Sequence, residues 1–177
     1  VEIEGGMTLH DFNLYLDSKN LSIVNMGGVD VQKMAGALST GTHGSGIEVP
    51  AVSGMVRSLT IVSHEGKIYK IEPSSRPLTN PVLYKEKNKN SEIELIQDDE
   101  MFYSALVSFG NMGIIYSMIL EVRPKYYLAE IQYIDSWTNV KKQLNDGSLF
   151  NADGLDVLDG KTKQKLWPYW ANTSKPN

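Results

Sequence analysis

The run Ala37-Leu-Ser-Thr-Gly-Thr-His-Gly-Ser-Gly46 constrains this chain more than any other segment. Its last eight residues hold three glycines, four hydroxyls and one imidazole, with no lysine or arginine among them. Glycine lets the backbone turn through positive φ and come close to a ligand. Consecutive N–H groups in such a loop form an anion-binding concavity, to which Ser and Thr hydroxyls add donors. A turn that only carries the chain across a sheet needs the glycines but not four hydroxyls beside them. The run therefore reads as a cradle for a phosphate or pyrophosphate built from neutral dipoles, and it points to a nucleotide-type cofactor.

With 177 residues, the chain has room for one domain with a substantial core, or one domain and part of another. Hydrophobic residues at 41% and charged residues at 21% are ordinary for a globular protein. A net charge of −4 argues against nucleic acid as the main partner. Lys87 and Lys89, in the polar run from Lys85 to Asn90, read as a solvated loop. The absence of cysteine excludes disulfides, a thiol nucleophile and cysteine metal sites. No apolar run reaches transmembrane length, and Val1-Glu-Ile-Glu does not open like a secretion signal, so the localisation stays open. A start at Val1 rather than Met suggests a chain that begins inside a longer protein.

Periodicity supplies the elements. Val1–Ile3 reads as a strand, and Thr8 caps a helix whose apolar positions Leu9, Phe12 and Leu16 recur at helical spacing to about Ser18. Leu21–Val24 is a short apolar run, and Val29–Gly36 a brief helical turn that Asp30 is placed to cap. Met55–Val62 and Ile68–Ile71 form a hairpin across His64-Glu-Gly-Lys67. Pro73–Gln97 reads as a long irregular excursion. Asp98 or Asp99 caps a helix with Phe102, Ala105, Leu106 and Phe109 facing inward, and Gly110-Asn-Met-Gly113 ends it. Ile114–Val122 is an apolar strand stopped by Pro124. Beyond it, Tyr126–Ile134 alternates like a strand, Ser136–Leu144 reads as a helix, and Gly154–Leu158 and Lys165–Trp170 read as two more strands.

Several mechanisms fail on particular residues. Gly41-Thr-His-Gly-Ser-Gly46 begins like a P-loop, but Ile47-Glu48 stand where Lys and Ser or Thr are required. A dinucleotide fingerprint starting at Gly44 fails at Val49, where its last glycine belongs. His43-Gly44-Ser45-Gly46 is like the oxyanion run of lipases, so a serine hydrolase is a rival; it needs a Gly-x-Ser-x-Gly elbow, and the chain has none. His10 and His64 read as surface histidines, and no two histidines share a metal-ligand spacing such as i, i+4. Gly110–Gly113 has the form of a nucleic-acid GxxG clamp, but its flanks Phe109 and Ile114 and the acidic balance argue against one.

The order of motifs resembles a known family. Gly36-Ala-Leu-Ser-Thr-Gly-Thr-His-Gly-Ser-Gly46, a strand at Val56–Val62, the Glu65-Gly66 turn, Asp99-Glu-Met-Phe102, and Ser108-Phe-Gly-Asn-Met-Gly-Ile-Ile115 follow one another. This order is similar to the FAD-binding, PCMH-type domain of the vanillyl-alcohol-oxidase superfamily. The likeness is nearest to aldonolactone and alditol oxidases and runs from Val1 to about Tyr127. The resemblance implies an α+β fold, a mostly antiparallel sheet flanked by helices, over residues 1–125, with a substrate or cap domain starting in 126–177. It implies FAD as cofactor, held by Ala37, Ser39, Thr40, Gly41, Thr42, Gly44 and Ser45 along the glycine-rich block. His43 matches the family histidine, expected to shape the loop or face the flavin; no residue is assigned as catalytic base. Gly110, Gly113, Ile114 and Ile115 would pack on the adenine and ribose side.

The implied activity is oxidation of a sugar lactone, polyol or related alcohol, with hydride passing to the flavin and electrons to molecular oxygen or another acceptor. In that family the first FAD subdomain lies upstream of the matching region, and most catalytic side chains lie downstream. The chain thus resembles the middle of a flavoenzyme, incomplete and inactive in isolation. Two further readings compete with this one. The first is a dehydrogenase or oxidase of the same superfamily acting on a sterol or prenyl-linked sugar, and the second is a non-catalytic flavin-free module. No nucleic-acid partner, metal or transmembrane segment is expected.

Overall fold

Thr8 opens the first helix by using both ends of its hydroxyl. It accepts the Asp11 N–H at 3.0 Å and donates to the Asp11 carboxylate at 2.6 Å. In the computed structural model, which describes residues 1–46, 48–127 and 134–150, this cap starts α1 (Leu9–Ser18). Leu9, Phe12 and Leu16 lie on its buried face, as the spacing requires. Before it stands β1 (Glu2–Glu4), and after it β2 (Leu21–Ser22).

The second helix departs from expectation. Instead of a turn over 29–36 capped by Asp30, α2 spans Met34–Ser39 with Lys33 at its N-cap. The preceding residues are held extended. His10 N–H donates to the Asp30 carbonyl and Leu9 N–H to that of Gln32, and Thr8 pairs with Lys33. The Asp30 carboxylate meets His10 Nδ1 at 2.8 Å rather than a helix N-terminus. Helix α2 therefore starts later and takes in Ala37, Leu38 and Ser39 from the glycine-rich block.

A 3-10 turn at Val52–Met55 leads into β3 (Val56–Val62), and the hairpin returns as β4 (Ile68–Glu72). The stretch from Pro73 to Gln97, expected to be irregular, contains α3 (Pro81–Lys87) and β5 (Ile93–Gln97). Asn80 caps α3 by accepting the Val82 and Leu83 N–H groups at 3.0 and 3.1 Å, and Pro81 sits where its missing N–H costs nothing. That helix supplies the crossover by which β5 can run parallel to β4. Next come α4 (Asp99–Leu106), capped by Asp98, and β6 (Ile114–Leu120). A short β7 (Arg123–Pro124) pairs with β2.

The main sheet has the order β1-β6-β3-β4-β5, antiparallel except between β4 and β5. The fold is thus α+β, a mostly antiparallel sheet with flanking helices. Leu59, Ile61 and Met118 from the central strands meet Phe12, Leu38 and Phe102 from the helices in one buried cluster. Each such side chain contributes roughly 1.5–3 kcal/mol through removal from water. Phe109, expected on the inward face of α4, lies outside it. Val107 ends the helix first, and Phe109 is 73% exposed.

Residues 1–127 form one compact unit and 128–177 a second. In the second, α5 (Trp137–Asp146) is capped by Ser136, which accepts the Asn139 N–H at 3.3 Å, and ends on Gly147 at φ 76°. A 3-10 turn at Ser148–Phe150 follows. Most of the strand expected at Tyr126–Ile134, and both strands expected after Gly154, fall outside the described residues.

Glu72, at the end of β4, is fully buried. Its carboxylate accepts the N–H groups of Leu78 and Thr79 at 3.0 and 2.9 Å, the Thr79 hydroxyl at 2.6 Å and the Gln97 amide at 3.2 Å. Burial alone pushes its pKa up, but the hydrogen bonds from Thr79, Gln97 and Leu78 outweigh it and hold the group below the usual carboxylate value. This contribution is present above the unfolded-state pKa and is lost as pH falls through the lower folded value. Glu72→Ala, which orphans these donors, is expected to cost about 3 kcal/mol in urea unfolding at pH 7. The deficit relative to wild type should shrink at pH 3; a deficit equal at both pH values would remove the charged carboxylate from the account.

Candidate functional site

The glycine-rich block is shaped by how α2 stops. Thr40 is its C-cap and Gly41 follows at φ 69°. Gly41 N–H donates to the Leu38 carbonyl at 3.1 Å, and Thr42 N–H reaches back to Ala37 at 2.9 Å. These two bonds are the Schellman pair that satisfies the last carbonyls of a helix. Gly41 is thus required by the protein's own backbone. A side chain there would occupy the left-handed region at a cost of about 1–2 kcal/mol.

Gly44 is needed for a different reason. A Cβ on it would overlap the Met26 carbonyl oxygen and the Asn25 side chain. The loop lies directly on the segment after β2, and the Asn25 amide in turn donates to the Pro50 carbonyl at 3.1 Å. Thr42 is fastened on its other side, its carbonyl accepting the Val52 N–H at 3.0 Å. Between these anchors the chain is open. None of the N–H groups of His43, Gly44, Ser45 and Gly46 donates to another described residue. The hydroxyls of Ser39, Thr42 and Ser45 are equally unpaired, whereas Thr40 donates its own to the Gly36 carbonyl at 2.9 Å.

His43 is exposed, and its Nδ1 lies 2.9 Å from the Gly44 carbonyl. A carbonyl can only accept, so Nδ1 carries the hydrogen and a neutral ring offers Nε2 as acceptor. Among the described residues, no carboxylate orients this ring. His10 pairs with Asp30, and no described Ser or Thr hydroxyl hydrogen-bonds to either imidazole. The hydrogen-bonded Ser–His pair that a hydrolase requires is therefore not assembled among the described residues.

The second glycine pair comes to the same region through one bond. Phe109 N–H donates to the Ser39 carbonyl at 3.2 Å, joining the loop after α4 to the end of α2. Gly113, at φ 118°, presses against the Val62 carbonyl where β3 ends, and a Cβ would overlap that oxygen. Of the residues expected to hold a ligand, Ala37 is buried, at 1% exposure, with its N–H and carbonyl committed to Lys33 and Thr42, and Ile115 is buried in the pairing of β6 with β3. Ser39 and Thr42 are half-buried, and Thr40, His43, Ser45, Gly110 and Ile114 are exposed. Among the described residues, no arginine or lysine hydrogen-bonds to the block.

Residues 1–72 match the model of a family described as an FAD binding domain. This stretch of the chain is similar to that domain. FAD is the cofactor that this domain family holds, and the glycine-rich block lies within the matched residues while Gly110–Ile115 lies beyond them. Relatives agree. The chain is 30% identical over 143 residues to a D-arabinono-1,4-lactone oxidase of Saccharomyces cerevisiae, covering 81% of the chain and 23% of the relative. It is 31% identical to proteins of the same name from Yarrowia lipolytica, covering 76% of the chain and 21% of the relative, and from Debaryomyces hansenii, covering 79% and 21%. The chain thus spans about a fifth to a quarter of the length of these curated relatives. Among the described residues no helix is long and apolar enough to cross a membrane.

The open donors fit FAD. A pyrophosphate needs N–H and O–H groups left unpaired by the protein, and among the described residues His43–Gly46 with Ser39, Thr42 and Ser45 have them, with no cation hydrogen-bonded to the block. Gly41→Ala is expected to lower unfolding stability by about 1–2 kcal/mol through strain at φ 69°. Gly44→Ala, which must displace the loop from Met26, should lose ligand binding as well. Urea titration together with FAD titration of both variants checks the distinction.

Proposed function

We propose that the full-length protein is an FAD-dependent oxidoreductase acting on a sugar lactone of the arabinono-1,4-lactone class, with molecular oxygen as electron acceptor. The observation that supports this reading is the run of N–H groups from His43 to Gly46 without partners among the described residues, within the stretch that is similar to an FAD binding domain. The names of the relatives supply the substrate class. When bound, FAD supplies the two-electron acceptor that takes hydride from the carbon being oxidised.

The chain's own residues position that cofactor. The N–H groups of His43, Gly44, Ser45 and Gly46 and the hydroxyls of Ser39, Thr42 and Ser45 would donate to its anionic and ribityl oxygens. Thr40, whose hydrogen is committed to Gly36, can only accept. Gly41 and Ala37 set the direction in which the loop leaves α2. Gly110, Gly113, Ile114 and Ile115 form the second wall, and the residues from 126 onward would start a domain that covers the substrate. His43 would accept a hydrogen bond at Nε2, acting on the loop or the ring edge rather than as an assigned base.

Ser45 is exposed and has no partner among the described residues. Ser45→Asp in the full-length protein should leave the unfolding midpoint unchanged while weakening FAD at least about tenfold by like-charge repulsion. Ser45→Ala, which removes one hydroxyl, should weaken it by less than about tenfold. Flavin absorbance of the purified protein and peroxide release on adding D-arabinono-1,4-lactone test the whole reading. A protein that takes up no FAD would end it; one that takes up FAD and ignores sugar lactones would end the substrate assignment alone. His43→Ala is expected to alter turnover with little change in stability.

A further inference from the structure

Phe109 stands where a phenylalanine is least comfortable. Asn111 N–H donates to the Ser108 carbonyl at 3.0 Å, closing a four-residue turn. Its central residues, Phe109 and Gly110, have φ of 52° and 82°. Two consecutive positive φ values are the signature of a type I′ turn, whose first central position favours Asn, Asp or Gly. A bulky side chain in the left-handed region is a backbone outlier. The local fold does not repay that cost, because Phe109 is 73% exposed and outside the core. Its N–H is nonetheless bonded to the Ser39 carbonyl, at the start of the open-donor stretch. Val107, Met112, Ile114 and Tyr116 around it in sequence are exposed apolar residues as well.

Strain that nothing in the surrounding structure rewards is characteristic of a functional site. Resting on the FAD reading above, we propose that Phe109 is a ligand-contacting residue, whose ring stacks on a flat heteroaromatic ring of FAD. Three observations converge: an aromatic face left open to solvent, a backbone bond tying it to Ser39, and unpaired donors for the diphosphate in the same loop. An aromatic ring against a heterocycle contributes enough to select for such a residue despite the turn it must occupy. The partner ring is adenine or isoalloxazine, both of which present the same π face.

The test separates ligand binding from folding, because the substitutions that suit the turn remove the ring. Phe109→Asn and Phe109→Gly in the full-length protein should unfold at the same or a higher midpoint than wild type. Both should bind FAD between about fivefold and a hundredfold more weakly, the range expected for loss of one stacked ring. Phe109→Tyr and Phe109→Trp should stay within about twofold. Titration with ADP and with FMN identifies the ring: a loss shared by ADP assigns adenine, and a loss confined to FMN assigns isoalloxazine. Wild-type affinity for FAD in the Asn and Gly variants would overturn the proposal while leaving the FAD reading intact. A lower midpoint with unchanged affinity would overturn it too, by placing the ring against protein. Failure of the wild-type protein to take up FAD would instead bring down the reading on which it rests.

Discussion

Strand β6 is the element on which the rest of the molecule hangs. It pairs with β1 on one side and β3 on the other, through registers that join residues more than fifty positions apart. Both glycine segments are suspended from it. On the β1 side, Gly5 N–H donates to the Tyr116 carbonyl, and the carbonyls of Gly5 and Met7 then accept the Ala35 and Met34 N–H groups that begin α2. On its own N-terminal side, β6 is preceded by Gly113 pressed on Val62 and by Phe109 bonded to Ser39, at the end of α2. The connections form a closed circuit from β6 through β1 and α2 and back. Such a circuit makes the position of the loop after α2 a consequence of strand register. A slip of one residue in β6 would carry every side chain of the strand to the opposite face.

Within that circuit the glycines of the block have separate tasks, none of which is generic flexibility. Gly41 ends a helix, and Gly44 lets the loop lie on Asn25 and Met26. Having been fastened at Thr42 and at Gly44, the loop leaves a row of N–H groups without partners among the described residues. A backbone group that solvent can reach costs little when unpaired, so such a row does not require a ligand to be tolerated. The absence of a lysine or arginine in the block fits the same logic. A fixed row of dipoles can orient an anion without a mobile cation.

Local signals carried the elements whose boundaries are set locally. Thr8 with Asp11, the triad Leu9, Phe12 and Leu16, the hairpin at residues 56–72 and the cap at Asp98 are all visible in short windows, and the structure contains each of them. The misplaced elements depend on distant partners. Helix α2 begins at Met34 because Thr8, Leu9 and His10 hold residues 30–33 extended, which no window around Asp30 reveals. Strand β5 is a strand because β4 offers it an edge, and its flanks Ser91-Glu92 and Asp98-Asp99 hide it in a polar stretch. Asn80-Pro81, by contrast, is a helix start that could have been read directly. The glycine-rich block marked the candidate site, but which of its donors are free emerges only once their internal partners are known.

Phe109 shows the limit of periodicity most clearly. Phe102, Ala105, Leu106 and Phe109 keep helical spacing, and the pattern puts all of them on one buried face. The helix obeys the pattern through Leu106 and then stops at Val107, so the next apolar residue enters a tight turn instead of the core. Had burial been the selective reason for an aromatic there, another turn of helix would have achieved it. The chain instead places Gly-Asn-Met-Gly after Phe109, which fits the turn and excludes the helix. Asn at 109 would satisfy the turn, and among the described residues no buried surface asks for Phe. Packing among the described residues does not account for the side chain, while its N–H ties the turn to Ser39 at the end of α2.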